Sequence, residues 1–407
     1  MTSPHDALIT GIGLVSCLGE GIDAHWAALN REGGFQPVVD ATSFAPWPVH
    51  PMAPLELDRQ IPKRGDQRQM EAWQRIGTYA AGLALDSAGV KGDAELLSQM
   101  DMIVAAGGGE RDYEVDAAIL SGLPSSAEPG RFLNEHLMAG LRPTLFLAQL
   151  SNLLAGNISI VHRVVGSSRT FMGEEACGAD AVRIACARIA AGQGDLFLVG
   201  GSYNAQRPDI LLHYEMGRLL WKQAPGSSAR GQAYAGVWQR LAQGGGMVLG
   251  SLGCFLVIES RQHAAARRSR PLAHVSAIAT DRSRRRPGEA TANAVRQLST
   301  LHQHLDPSHA AVISGASGVS AATLEEAEFL RGLRMPVRAS ATAFGHSIEP
   351  SFPANLALAA ISLSRGRLFD PLEAADLETP MEADLRQVLV TSWGHWRGEA
   401  SAVVEAA

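Results

Sequence analysis

Short apolar runs alternate with amphipathic stretches along most of the chain. The runs have the length and composition of buried strands, and they lie at residues 7–16, 102–106, 195–199, 254–259 and 310–314. Between them, apolar side chains recur at three- and four-residue steps, which predicts helices with one face towards a core. Two of these predicted helices cover residues 63–90 and 355–365, and a third carries apolar residues from Ala181 to Ala190 and ends at Gly192. Buried strands that alternate with such helices favour an α/β fold.

One stretch, residues 152–201, carries the most detailed pattern. Residues 169–172 are apolar enough for a buried strand, small residues then open a helix that ends at Gly192, and residues 195–199 form the next buried strand. Strand, tight turn and buried helix are the geometry of a nucleophile elbow, in which the turn residue projects from the positive end of a helix. The turn residues are Glu174, Glu175, Ala176 and Cys177.

Composition narrows the class of protein. The chain has 407 residues, 46% of them hydrophobic, so it can bury a large core. Its net charge of -6 argues against general nucleic-acid binding. Its four cysteines have no C-x-x-C spacing, which predicts reduced thiols and no metal site. We expect no dinucleotide or other cofactor. No apolar run has the length of a membrane span, and the start lacks the features of a signal peptide, so we expect a cytoplasmic protein.

The central stretch resembles the β-ketoacyl synthases, the condensing enzymes of fatty acid and polyketide synthesis. Two sets of family positions flank the elbow, and counted without a gap both place Glu175 where the family carries its catalytic cysteine. The matching positions are Asn152, Ala155, Gly156, Ser159, Ile160, Gly166 and Thr170 on one side and Gly192, Asp195, Gly200 and Gly201 on the other. The resemblance implies a thiolase fold, with two similar βαβαβαββ halves (1–259 and 260–407) in a five-layered α-β-α-β-α arrangement.

Cys177 is the alternative nucleophile. Aligning it with the family cysteine requires two extra residues before it and two fewer in the helix after it. Two fewer residues rotate a helix by about 200° and would turn its apolar face to solvent. This favours Glu175 and leaves Cys177 as a small, buried thiol on the first turn of the helix.

Three further family motifs depart from the pattern. Ser317 stands where the family has a histidine that helps to decarboxylate the malonyl group, and this alignment puts Glu325 and Glu328 at two acidic positions. The family histidine is retained as His346, whereas Ala341 replaces the family lysine. Glu349, three residues after this histidine, replaces a glycine of the family.

The last motif, residues 391–398, lies where the family has a phenylalanine that gates the pocket. His395 replaces this phenylalanine and Gly394 is kept, whereas Trp396 and Arg397 replace glycines that let the backbone close around the thioester oxygen. Gly394, His395 and Ala341 are therefore the predicted pocket residues. Because His395 occupies the gate, we hypothesise a polar contact between it and Glu175.

The resemblance implies a ketosynthase-like subunit that has lost condensing activity. It is similar to the chain-length factors of bacterial polyketide systems, which pair with an active ketosynthase. The implied partners are such a ketosynthase and an acyl carrier protein with a phosphopantetheine-bound chain, and arginines within residues 261–287 would receive the carrier unless they are only a solvated surface. Two alternatives stay open. One is an active synthase or acyltransferase that uses Cys177 or a rebuilt carboxylate and histidine site, and the other is a noncatalytic homodimer that binds the carrier.

Overall fold

The apolar runs of the sequence become the strands of one mixed sheet in a computed structural model. The model describes residues 3–143, 145–223, 234–284, 286–301, 305–395 and 398–407. The strands in this part of the chain are β1 (Ala7–Ser16), β2 (Gly19–Glu20), β3 (Val49–His50), β4 (Asp101–Ala105), β5 (Ser168–Phe171), β6 (Leu196–Tyr203), β7 (Leu249–Gly250), β8 (Leu252–Ser260), β9 (Ala273–Thr280), β10 (Ala310–Ser314), β11 (Val337–Ala339), β12 (Gln387–Ser392) and β13 (Ala400–Glu405).

Helices occupy most of the connections between these strands. They are α1 (Gly21–Leu29), α2 (Arg64–Gln69), α3 (Ala72–Ala88), α4 (Ala94–Gln99), α5 (Tyr113–Gly122), α6 (Pro129–Gly140), α7 (Leu145–Ala148), α8 (Leu153–His162), α9 (Glu175–Ala190), α10 (Pro208–Met216), α11 (Val237–Ala242), α12 (Arg261–Ala266), α13 (Glu289–Leu301), α14 (Ser320–Leu333), α15 (Ala341–Phe344) and α16 (Ser351–Ser364). None of these described helices is both long and apolar enough to cross a lipid bilayer.

The sheet is built from two halves with the same topology. The first half has the strand order β5-β4-β6-β8-β1, and the second has β11-β10-β12-β13-β9. In each half the two outermost pairings are parallel and the next two are antiparallel. The halves meet where β1 pairs with β9 over three residues of each strand. This repeated topology confirms the predicted fold class of two similar halves, whereas the boundary between residues 259 and 260 stays a prediction.

Three clusters of buried apolar side chains fill the spaces between the layers. Helices α9 and α16 contact each other and lie between the two halves of the sheet, where they share the largest cluster. Helices α3 and α8 cover the outer face of the first half, and α13 and α14 lie over the second. The layers are therefore α-β-α-β-α, as the family resemblance implies. Helix α9 lies in the central layer, so its first residue faces the interior of the molecule.

Two predicted elements differ from those observed. The single helix expected over residues 63–90 is divided at Met70, because Glu71 forms a reciprocal cap with Gln74 that starts α3. The strand expected to be buried at residues 169–172 is β5, which lies at the edge of the sheet and is partly exposed. Its apolar residues predict burial, but an edge strand pairs with a neighbour on one side only and is less enclosed.

Candidate active site

The turn before α9 has the strained backbone of a nucleophile elbow. Gly173 has φ +140°. Glu174 has φ 58° and ψ -140°, a backbone conformation that residues other than glycine rarely adopt. The strain ends at Glu175, the first residue of α9. The predicted strand, turn and helix are thus present, and the turn aims Glu175 into the interior.

We expect Glu174→Gly to raise the free energy of unfolding by about 1 kcal/mol, because glycine adopts this backbone conformation without steric strain. Urea unfolding followed by circular dichroism would measure the change. Glu174→Ala is the matched control, since it removes the same carboxylate and keeps the strained Cβ. An equal gain in both variants would mean that the carboxylate, and not the backbone, is the source of the effect.

Glu175 is fully buried and accepts three hydrogen bonds on one oxygen. Its Oε1 lies 2.6 Å from Nε2 of His346 and 2.5 Å from Nδ1 of His395. The main-chain N–H of His395 donates to the same oxygen at 2.7 Å. Oε2 is buried and has no hydrogen-bond partner among the described residues. The hypothesised contact between His395 and Glu175 is confirmed.

Three separate parts of the chain bring these side chains together. His346 follows α15, and its position is fixed because its main-chain N–H donates to the carbonyl of Val248 at 2.8 Å. His395 follows β12, next to Gly394, which has φ +65°. A Cβ at residue 394 would lie 2.9 Å from Cδ of Glu175, so only a glycine lets this loop approach the carboxylate.

The two histidines determine the charge state of Glu175. Burial by itself would raise the pKa of this carboxyl, but the charge of His395 and the hydrogen bonds from His346 and His395 outweigh it and hold the pKa well below its usual value. Glu175 is therefore an ionised carboxylate at neutral pH. Its contacts occupy a ring nitrogen of each histidine.

The hydrogen bonds of Glu175 do not involve Cys177, Ser317 or Ala341. Cys177 is buried on the first turn of α9, its Sγ donates to the carbonyl of Glu174 at 2.8 Å, and burial raises its pKa well above the ordinary value. These properties oppose formation of a thiolate. Ser317 is buried after β10, where its Oγ accepts from the N–H of Val319. Ala341 is buried at the start of α15. Trp396 and Arg397 lie outside the described residues.

Glu326 is a buried carboxyl that the sequence did not identify. Glu325 is only partly buried and Glu328 is exposed, whereas Glu326 accepts hydrogen bonds from Oγ of Ser314 at 2.7 Å and from Oγ1 of Thr391 at 2.9 Å. Burial raises its pKa to about 7. The sequence of α14 does not predict that Glu326 is buried, because the packing of the helix determines which of its faces points inward.

A cavity of about 360 Å³ lies beside the elbow. It is bounded by the turn residues Gly173 and Glu174, by aromatic side chains and by the carboxyl of Glu349. Burial, together with the carboxylates of Glu175 and Glu174, raises the pKa of Glu349 to about 8. The sequence marked this residue only as a departure from a family glycine. The aromatic lining, from Trp73, Tyr203 and Tyr214, had no signal in the sequence.

Glu175, His346 and His395 are also the one group of described residues with enough clustered ligand atoms for a metal ion. Those atoms lie within 4.8 Å of one another. Hydrogen bonds from both imidazoles and from one main-chain N–H account for the position of Oε1 without an ion. These hydrogen bonds therefore explain the position of Oε1 as a carboxylate oxygen held by two histidines.

A family model for the N-terminal domain of β-ketoacyl synthases matches residues 6–264, which include the elbow, Glu175 and Cys177. This chain belongs to the β-ketoacyl synthase family. Among curated relatives, 3-oxoacyl-[acyl-carrier-protein] synthase 2 of Vibrio cholerae is 23% identical over 67% of this chain and 62% of that protein. The protein of the same name from Rhizobium meliloti is 26% identical over 48% and 46%. The match thus spans less than two thirds of each of these relatives.

Solved structures of β-ketoacyl synthases share the whole fold of this family member. The ishigamide ketosynthase/chain length factor superposes with a TM-score of 0.75 at 19% identity, covering 99% of both chains. A β-ketoacyl synthase from Burkholderia phymatum gives 0.77 at 17% identity, again over 99% of both chains. These likenesses show that the synthase homologue has the thiolase fold.

Proposed function

We propose that this β-ketoacyl synthase homologue is a condensation-inactive subunit. It would pair with an active ketosynthase, as a chain-length factor does, and would act on carrier-bound chains in fatty acid or polyketide elongation. The observation that carries the proposal is the buried Glu175, whose Oε1 holds both His346 and His395. A cytoplasmic location belongs to the same proposal.

The chemistry of condensation explains why this contact matters. A condensing enzyme needs a thiolate to carry the acyl group and donors that stabilise the enolate and the oxyanion. At the family position for the thiolate, this chain has a carboxylate with no exposed surface. An acyl-glutamate would also be an anhydride that water cleaves. His346, the family histidine that remains, is already hydrogen-bonded to that carboxylate, and Ser317 replaces the other.

The edge of the sheet offers a surface for the partner. Strand β5 ends the first half of the sheet, and the apolar side chains of Ile160, Val165 and Met172 next to it are more than half exposed. An unprotected edge strand with apolar neighbours is unusual on a protein surface unless another chain covers it. The ketosynthase/chain length factor among the structural relatives supports a ketosynthase as that chain.

The basic segment supports carrier binding only in part. Arg267 binds the buried Glu259, and Arg282 binds Asp180, so these two charges are partly neutralised within the chain. Exposed side chains remain at Arg268, Arg270, Arg284 and Arg286, whereas Arg285 lies outside the described residues. The four exposed arginines are the charges that an acidic carrier protein would meet. A solved complex of a type II polyketide synthase acyl carrier protein with its ketosynthase also has this fold, with a TM-score of 0.70 at 16% identity.

Intact mass spectrometry with acyl carrier thioesters tests the proposal. We expect no acyl adduct on this chain, alone or mixed with a cysteine-bearing ketosynthase from the same organism, because Glu175 is buried and Cys177 is held as a thiol. The ketosynthase should carry the adduct, and Cys177→Ser in this chain should leave the loading unchanged. An adduct mapped to Cys177 would contradict the assignment of Glu175 and restore an active synthase.

The convergence of two imidazoles on one carboxylate favours a second candidate, an enzyme with a rebuilt site. Glu175 and His346 would then act as an acid and base pair on a chain bound in the neighbouring cavity. Turnover of an acyl or malonyl carrier thioester by this chain alone, abolished in Glu175→Gln, would favour this candidate. A stable homodimer that neither turns over nor binds a ketosynthase would favour the purely structural alternative.

A further inference from the structure

The cavity beside the elbow combines aromatic walls with hydrogen-bonding groups. Trp73, Tyr203 and Tyr214 supply the aromatic surface, and Glu349 supplies a carboxyl on the side nearest the Glu175 cluster. We propose that Glu349 makes this cavity selective for a chain that bears a carbonyl or hydroxyl oxygen, over a hydrocarbon chain of the same length. This inference rests on the proposed function only for the expectation that the ligand is an acyl chain.

The backbone around Glu349 is shaped to present its carboxyl. The preceding residue, Ile348, has φ 51°, which is a strained conformation for a β-branched side chain. Opposite, a Cβ at Gly107 would lie 2.2 Å from Oε1 of Glu349, so a glycine is needed to make room for the carboxyl. None of the hydrogen bonds of the described residues joins this carboxyl to another residue. The main-chain N–H of Glu349 itself donates to the carboxyl and favours its ionised form, but burial outweighs this effect. The carboxyl can therefore still bind a ligand in the cavity.

The surroundings of Glu349 keep a proton on it at neutral pH. Burial raises its pKa to about 8, helped by the carboxylates of Glu175 and Glu174 at the start of α9, while His395 acts in the opposite direction. Burial also raises the pKa of the nearby Tyr203, Tyr214 and Cys177. His213 and Arg207 line the same cavity, and Arg207 is paired with Asp209. The carboxyl therefore acts as a hydrogen-bond donor, and it ceases to donate when it ionises above about pH 8.

Trp73, in the wall of the cavity, contains a second donor with no partner among the described residues. Its Nε1 is buried and makes no hydrogen bond within the described part of the chain, although an indole N–H can only donate. A buried donor without an acceptor is costly, whereas one that meets a ligand oxygen is satisfied. A hydrocarbon chain in this cavity would leave Glu349 unpaired, and an oxygen-bearing chain would pair it. One such pairing corresponds to about a tenfold difference in affinity.

Two matched probes test this selectivity by calorimetry on the isolated chain. They are the N-acetylcysteamine thioesters of hexanoate and of 3-oxohexanoate, which have the same length and differ by one carbonyl. At pH 7 we expect the wild-type protein to bind the 3-oxo probe about tenfold more tightly. Glu349→Gln keeps a donor and should keep the preference, whereas Glu349→Leu should bind both probes equally.

The pH dependence separates the carboxyl from the shape of the cavity. Between pH 7 and 9 the preference of the wild-type protein should fall as Glu349 loses its proton, while Glu349→Gln, which does not ionise, should keep it. Equal affinities in the wild-type protein, an undiminished preference in Glu349→Leu, a preference that is constant to pH 9, or no binding of either probe would each overturn the inference. The assay needs neither a partner nor condensation, so its outcome is independent of the mass-spectrometric test.

Discussion

Glu175→Ala should lower the free energy of unfolding by about 3–5 kcal/mol, the loss that follows when one partner of a buried charged pair is removed. The substitution leaves His346 and His395 buried without the oxygen that both contact. It also removes the acceptor of the His395 main-chain N–H. Chemical unfolding in urea, followed by circular dichroism at pH 7, would measure the loss.

The matched control is Glu328→Ala, which removes an exposed glutamate from α14 and should change the free energy of unfolding by less than about 0.5 kcal/mol. Acid provides a second check. Because the folded pKa of Glu175 is lowered, its contribution is present above its unfolded value of 4.5 and is lost as the pH falls towards the folded pKa. The difference between the wild-type protein and Glu175→Ala should therefore shrink below about pH 4.5. A constant difference would show that packing, and not charge, is responsible.

The same cluster shows why part of the site could be predicted. Glu175 is placed by counting residues from the family positions on either side of the elbow. Aligning Cys177 instead would remove two residues from the helix that follows and would turn its apolar face to solvent. In the structure Ala181, Val182 and Ala185 of α9 are buried, which confirms the predicted apolar face, whereas the alignment of Glu175 with the family cysteine stays a prediction. The contact with His395 could be anticipated because that residue occupies a position at which the family closes its pocket.

What could not be predicted depends on packing between distant segments. Glu325, Glu326 and Glu328 are equally acidic in the sequence, and only the rotation of α14 against its neighbours determines that Glu326 is the buried one. Similarly, Glu349 faces a cavity because Gly107, more than two hundred residues earlier, leaves space for its carboxyl. Neither relation has a local signal, because both arise from long-range contacts.

For the edge strand β5, the sequence correctly predicts a strand but wrongly predicts that the strand is buried. Ser168 and Arg169 are exposed, and within the described part of the chain the strand pairs with β4 alone. The apolar residues at its end and beyond it, Phe171 and Met172, suggested a buried strand. On a surface that another chain covers, such side chains would be buried only in the assembly.

The last prediction concerns this edge. The carbonyls of Ser167 and Phe171 accept hydrogen bonds from the main-chain N–H groups of Met102 and Ala106. The main-chain N–H and C=O groups of the odd-numbered residues in β5 therefore point towards β4. Main-chain groups alternate in direction along a strand, and the N–H of Thr170 therefore points away from β4. Thr170→Pro removes that N–H without removing a hydrogen bond to β4. If β5 pairs with another chain, the affinity should fall by about 100-fold, since the ring removes a hydrogen bond and obstructs the approach of that chain.

Sedimentation equilibrium would measure the association of this chain with itself and with a cysteine-bearing ketosynthase from the same organism. Thr170→Val is the control at the same position, because it keeps the N–H and should associate as the wild-type protein does. Unfolding in urea would verify that the proline variant retains its fold, as expected for an edge position whose N–H makes no bond within the sheet. Equal association of the proline and valine variants would exclude β5 as the contact and would leave the exposed apolar residues around it without a partner-based explanation.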